Sequence, residues 1–179
     1  MPLVLLIGGA RSGKSELALR LAANQRLPVV FIATAEARDF EMTERIAQHR
    51  RERPDSWETI EEPLRLREAI EGVARDSCML IDCLTLWTAN ALERLGAAET
   101  RAVAGTAASA AAARPGLTVA VTNEVGLGVV PDNALARSYR DLLGHVNAIW
   151  AEAADQALLL VAGRALALGK SELVIGDLR

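Results

Sequence analysis

A lysine and a serine closing a glycine-framed octapeptide are the residues of this chain best suited to chemistry. GGARSGKS, residues 8–15, fits the pattern G-x-x-x-x-G-K-[ST] in full. Glycines let the backbone curl so that successive N–H groups face a phosphate chain, and a following helix adds its partial positive charge. The pattern assigns Gly8, Gly9, Ala10, Arg11, Ser12, Gly13, Lys14 and Ser15 to nucleotide binding. Lys14 is expected to reach the terminal phosphates and the Ser15 hydroxyl to ligate Mg²⁺. CMLIDCLT supplies a second metal candidate, because an apolar run ends there in Asp82. Asp82 could instead cap the helix that starts at Leu84.

A second constellation lies in ERIAQHRRERP, residues 44–54. His49, one of two histidines, stands directly before Arg50, Arg51 and Arg53. Helical spacing puts Met42, Ile46, His49 and Arg53 on one face, so His49 could simply mark the edge of a core stripe. Arginines in a last helical turn also suit the helix dipole. The alternative is catalytic. Guanidinium groups fork onto phosphate oxygens, and a cation about 4 Å from an imidazole acts at roughly 4 kcal/mol at an effective dielectric of about 20. Such cations would oppose protonation and leave a ring nitrogen free to attack phosphorus. His145, between Leu142 and Val146, reads as structural or exposed.

The elements that must position these groups alternate. Leu3–Ile7, Pro28–Ala33, Cys78–Asp82, Leu117–Thr122 and Gln156–Val161 read as buried strands. Lys14–Asn24, a segment from Asp39 or Thr43 to Arg53, Pro63–Arg75, Leu84–Leu95 and a long segment capped by Asp132 or Asn133 read as helices. Trp57–Ile60 is a short extended piece. Ala97–Ala113 could be a helix, a partner contact or a mobile insert. Strand then helix, repeated, predicts an α/β fold with a mostly parallel sheet and helices on both faces. Ligands of such sheets bind beyond the carboxyl ends of the strands, which gathers Gly8–Ser15, Ala33–Ala35, Asp82–Cys83 and Thr122–Glu124 into one crevice.

Composition sets the outer bounds. The 179 residues suit one nucleotide-binding domain over 1–179. With 51% apolar residues and 3% aromatics, an aliphatic core is expected. A net charge of -3 argues against nucleic acid as a partner. Cys78 and Cys83 make neither a disulfide framework nor a zinc site and read as small core residues. MPLVLLIGG lacks the marks of a signal peptide, and the apolar stretch 157–168, broken by Arg164, is too short to span a bilayer. A soluble, cytoplasmic protein is expected. A guanine-reading N-K-x-D and a switch-type x-x-G after Asp82 are both missing, and motors generally need more chain. Transfer chemistry, as of a small-molecule kinase, therefore leads. A metabolite kinase without a covalent intermediate and a nucleotide-dependent interaction module remain as alternatives.

Taken together, GGARSGKS at 8–15, FIATAEARDFEMTERIAQHRRERP at 31–54, WETIEEP at 57–63, LIDCLTLWTANAL at 80–92 and VTNEVGLGVVPDNALARSYRDLLGHVN at 121–147 closely resemble the bifunctional adenosylcobinamide kinase / adenosylcobinamide-phosphate guanylyltransferase family. The resemblance implies a P-loop NTPase with a RecA-like core and a homotrimeric assembly. It implies phosphorylation of adenosylcobinamide with ATP or GTP. It then implies transfer of GMP from GTP, through a guanylylated His49, onto adenosylcobinamide phosphate, with release of pyrophosphate. Nucleotide contacts carried over from the family fall on Gly8–Ser15, Ala33, Thr34, Ala35, Arg50, Arg51, Glu52, Arg53, Glu61 or Glu62, and Asp82. The resemblance sets Gln48 at a position where a second histidine would stand, which leaves His49 as the nucleophile candidate of this helix. A carboxylate of Glu61 or Glu62 could read guanine, or both could be surface acids before a helix. Thr122, Asn123 and Glu124 could sense the γ-phosphate, place the acceptor hydroxyl or cap a turn. GLGVVPDN looks like a substrate-facing loop.

Overall fold

The computed structural model describes residues 3–170. Seven strands form one sheet: β1 (Leu3–Gly8), β2 (Val29–Ala33), β3 (Glu58–Glu61), β4 (Cys78–Asp82), β5 (Thr118–Asn123), β6 (Gln156–Val161) and β7 (Arg164–Leu168). Their order is β3-β2-β4-β5-β1-β6-β7, with every neighbouring pair parallel except β6 and β7. The strand that carries the phosphate loop, β1, is separated from the Asp82 strand, β4, by β5 alone. All carboxyl ends but that of β7 open on one edge, so the candidate residues share it.

Side-chain alternation explains the two-layered core. Leu3, Leu5 and Ile7 face one cluster, and Val4 and Leu6 face the other. The first cluster is covered by α3 (Leu66–Gly72), α4 (Leu84–Leu95), α5 (Ala97–Ala112) and α6 (Ala134–Ala153). The second is covered by α1 (Lys14–Ala23), which approaches closely through the buried small residues Ala18 and Ala22. The core is aliphatic with three aromatic additions, Phe31, Trp87 and Trp150, and the two tryptophans are the largest fully buried side chains. Trp87 is tolerated there because its Nε1–H donates to the Leu64 carbonyl at 2.8 Å.

Several boundaries differ from the expectation. The alanine-rich segment is a helix, and its buried Ala104, Ala107, Ala108 and Ala111 let α5 lie close to the layer beneath. α3 starts at Leu66 rather than Pro63, because the Glu62 carboxylate holds the turn open by accepting from the Leu64 and Arg65 amides. β7 was not anticipated. Its RALAL pairs antiparallel with β6 after a turn at Ala162-Gly163, and all five of its residues are exposed.

The helix carrying the basic run, α2 (Phe40–Arg51), starts where Asp39 accepts from the Met42 amide at 2.7 Å. None of its residues is buried. Met42, Ile46 and His49 are only half covered, and Phe40 is 77% exposed. The expectation that Met42 and Ile46 belong to the core therefore fails, and His49 does not mark the rim of a packed stripe. No described helix is long and apolar enough to cross a membrane.

Candidate active site

The phosphate loop is built by close backbone approaches. A Cβ on Gly8 would come within 2.3 Å of the Leu160 carbonyl oxygen of β6. Gly13 has φ +96 and packs 3.2 Å from the Gly163 Cα, measured from the site of an added Cβ. Both positions therefore need glycine, one for space and one for its left-handed backbone. Gly163 N–H donates to the Ser12 carbonyl at 3.0 Å, so the β6–β7 turn braces the loop. Gly9, Ala10 and Arg11 are exposed at the loop's tip, and Arg11 has φ 55.

Lys14 is 6% exposed. Its Nζ donates to the Gly9 carbonyl at 2.6 Å and to Ser12 Oγ at 3.3 Å. Burial lowers its pKa from the ordinary lysine value, opposed by Cys83 and the Asp82 carboxylate. Asp82 ends β4, half-covered, at the same edge. Burial raises its carboxyl, while neighbouring His49, the charges of Lys14 and Arg53 and a hydrogen bond from the Ser15 hydroxyl oppose that rise. Four residues from two separate segments thus act on one carboxylate. Ser15 and Asp82 offer hard oxygen donors side by side, which suits Mg²⁺ held jointly with nucleotide phosphates. Among the described residues no group of three or more His, Cys, Asp or Glu side chains is placed to hold a metal alone.

The His49 neighbourhood differs in charge from the expectation. His49 Nδ1 lies 3.6 Å from Glu52 Oε2, so a carboxylate, not an arginine, faces the ring. Gln48 Nε2 holds the other oxygen of Glu52 at 3.0 Å. Arg50 points toward Glu61 at 3.9 Å, and Arg51 is exposed. Arg53 is engaged with the fold: its guanidinium lies 4.0 Å over the Phe31 ring, and it donates to the His49 carbonyl at 3.1 Å and to Thr59 Oγ1 at 3.3 Å. Arg53 therefore ties the end of α2 to β2 and β3 beside Asp82. Burial and the neighbouring Arg50 charge lower its pKa.

The structure divides the remaining candidates. Thr34 is fully buried, and its hydroxyl donates to the Cys83 carbonyl at 2.7 Å and accepts from the Cys83 amide at 2.8 Å. Its side chain joins the ends of β2 and β4 rather than facing the crevice. Thr34→Val keeps the volume but strips both bonds, and should cost about 1–3 kcal/mol in urea unfolding. Glu62 is committed to its turn. Burial alone would raise its carboxyl, but the Arg65 and Leu64 amides and the Arg65 guanidinium carry it net below the ordinary value. Glu61, on the open edge strand, is the exposed carboxylate of the pair. His145, also exposed, bonds the Asp141 carbonyl on α6, away from the crevice.

Sequence reasoning missed the residues that tie this edge together. Asn90 of α4 is 5% exposed and donates to the Thr34 carbonyl at 2.9 Å and the Pro63 carbonyl at 3.2 Å. Thr85 Oγ1 accepts from the Asn123 amide at 2.7 Å, and Asn147 joins Thr122 Oγ1 at 2.7 Å to the Asn123 carbonyl at 3.0 Å. A polar residue inside a helical apolar stripe was the available signal.

Comparison with known proteins places this geometry. Residues 4–168 match the family described as "Cobinamide kinase / cobinamide phosphate guanyltransferase". The chain is 46% identical over 165 residues to "Bifunctional adenosylcobalamin biosynthesis protein CobP" of Pseudomonas aeruginosa, covering 89% of this chain and 92% of that protein. It is 40% identical over 175 residues to "Bifunctional adenosylcobalamin biosynthesis protein CobU" of Salmonella typhimurium, covering 90% and 96%. A solved protein from Pyrococcus horikoshii OT3 shares the fold with a TM-score of 0.55 at 12% identity, covering 96% of this chain and 88% of that one.

Proposed function

Since the chain belongs to the cobinamide kinase / cobinamide phosphate guanyltransferase family, the bifunctional enzymes of adenosylcobalamin biosynthesis, we propose that it completes the second activity through a GMP–His49 intermediate. The observation that supports this reading is that Arg53 bonds the His49 carbonyl and lies over Phe31 of β2, the strand paired with the one that ends in Asp82. A histidine 33 residues from Asp82 in sequence is thereby tied to the neighbouring strand.

In the kinase step, the acceptor hydroxyl of adenosylcobinamide attacks the γ-phosphorus of ATP or GTP. The bond from that phosphorus to the bridging oxygen breaks, and the diphosphate leaves. Lys14 and the loop amides hold the phosphate charge in place. In the second step, Nε2 of His49 attacks the α-phosphorus of GTP, and pyrophosphate departs as the bridging P–O bond breaks. A phosphate oxygen of adenosylcobinamide phosphate then attacks the same phosphorus. The P–N bond breaks, His49 is regenerated, and adenosylcobinamide-GDP forms. Two in-line displacements retain configuration at phosphorus. Mg²⁺ bound between Ser15, Asp82 and the nucleotide would offset phosphate charge. Glu61 is the carboxylate available to accept from the guanine edge. Homotrimer formation fits the uncovered Phe40 on a helix that buries nothing within its own chain.

Glu52 has a part in this scheme. A carboxylate on the Nδ1 side favours the tautomer with Nδ1–H and leaves Nε2 as the nucleophile. Glu52→Gln should slow protein guanylylation by about tenfold while phosphorylation of cobinamide, which does not use His49, proceeds. A rapid-quench time course of both steps checks this; equal losses in both would speak for a general structural role. The reading as a whole is tested by following label from GTP carried at the α-phosphate onto the denatured protein. A kinase lacking a covalent intermediate would take none.

A further inference from the structure

The loop from Glu124 to Asn133 leaves the carboxyl end of β5 and enters α6. Its root is fixed on the phosphate loop, where the Glu124 amide donates to the Gly8 carbonyl at 3.1 Å. The Glu124 carboxylate then bends the chain by accepting from the Gly126 amide. The far end is fixed too. Arg137 Nη1 donates to the Pro131 carbonyl at 3.0 Å and the Asp132 carbonyl at 2.7 Å, and Asn133 caps α6 by accepting from the Ala136 amide at 2.7 Å.

Between these anchors the loop turns aliphatic side chains to the outside. Leu127 is 85% exposed and Val129 94%, and Val125 and Val130 are exposed beside them. Single exposed apolar residues need no explanation, but four within six positions form a patch. Held at both ends, this segment presents these side chains to solvent. Its position also limits what covers it. The acceptor must bring a hydroxyl to the terminal phosphate at the mouth of the Gly8–Ser15 loop, so the bulk of the acceptor lies just outside that mouth. The family's acceptor, cobinamide, carries a broad corrin ring with an alkylated rim and amide arms. Six residues span up to about 20 Å when extended, so the segment can run along one side of such a ring.

We propose that Val125, Leu127, Val129 and Val130 form the acceptor subsite, an apolar platform on which the corrin ring of cobinamide and of its phosphate rests. This rests on the family activity and not on the histidine intermediate. One platform serves both steps, because the same ring must be held while its arm first receives a phosphoryl group and then a GMP.

The test uses the full chain with Leu127→Asp and Val129→Asp made singly, at positions whose exposure spares the fold. Binding of cobinamide is read from its visible absorbance in equilibrium dialysis, GTP binding in parallel, and subunit association by sedimentation velocity. The dissociation constant for cobinamide should rise about tenfold or more in each variant, since an aspartate cannot be stripped of water against the ring. GTP affinity and sedimentation should stay as in the parent chain, and Leu127→Met should keep cobinamide binding. Parent-like binding of cobinamide by both aspartate variants overturns the proposal. So does a loss of binding that accompanies altered sedimentation, which would make the patch a contact with a second copy of the chain. Failure of the parent chain itself to bind cobinamide would strike the family activity instead and remove the proposal's premise.

Discussion

His49→Ala protein incubated with GTP labelled at the α-phosphate should retain no label after denaturation, where the parent chain is labelled. Removing a covalent nucleophile costs several orders of magnitude in rate, and at least about 10³ is expected here. The fold should hardly respond. The His49 side chain is 40% exposed, α2 buries no residue, and the Arg53 bond to this position uses the backbone carbonyl, which alanine retains. GTP binding through Lys14 should therefore persist, and so should phosphorylation of cobinamide. In the parent protein the label should survive alkali and be lost in acid, as a phosphoramidate is. Label arriving equally from the γ-position would indicate autophosphorylation, and retention of α-label by the alanine variant would place the covalent bond elsewhere. Either result ends the His49 scheme.

Lys14→Ala should remove both activities together. Both steps build charge on phosphates held by the same loop, and the loss of one preorganised cationic donor generally costs about 10²–10³ in rate, or about 2.7–4 kcal/mol. The residual activity should show a second symptom. The Lys14 charge helps oppose the rise that burial imposes on the Asp82 carboxyl. Without that charge Asp82 binds its proton at higher pH, and since the ionised form is the one able to hold a cation, the acid limb of the residual rate moves upward in pH. A pH profile of each step for parent and variant checks the direction. A loss confined to one step would mean that the two activities use different phosphate sites. Lys14→Arg should not rescue, because a 6% exposed ammonium bonded at 2.6 Å to the Gly9 carbonyl leaves no room for a forked head.

Local signals were readable where the physics is local. The phosphate loop lies within eight residues and is framed by a strand and a helix that announce themselves by aliphatic runs and helical spacing. Asp39 and Asn133 cap their helices within three residues, so those starts are visible in the chain itself. The strand RALAL escaped notice because a two-residue turn fused it with the preceding run into one apolar stretch, and its partner in β6 defines it. Met42 and Ile46 have the spacing of a core face, yet spacing does not say whether another layer exists to cover it.

What the amino-acid order determined on its own was the class of the fold, the phosphate-binding loop and the family, since each is written in contiguous residues. Only the folded sheet decided how the candidates divide their labour. Placing β2 beside β4 sets Thr34 against Cys83, 49 residues away, and turns a candidate ligand into a brace. The same adjacency carries the end of α2, pinned by Arg53 over Phe31, to the edge where Asp82 emerges. Contacts between distant segments depend on strand order, and strand order follows from the burial of both sheet faces at once, which no single stretch of chain encodes.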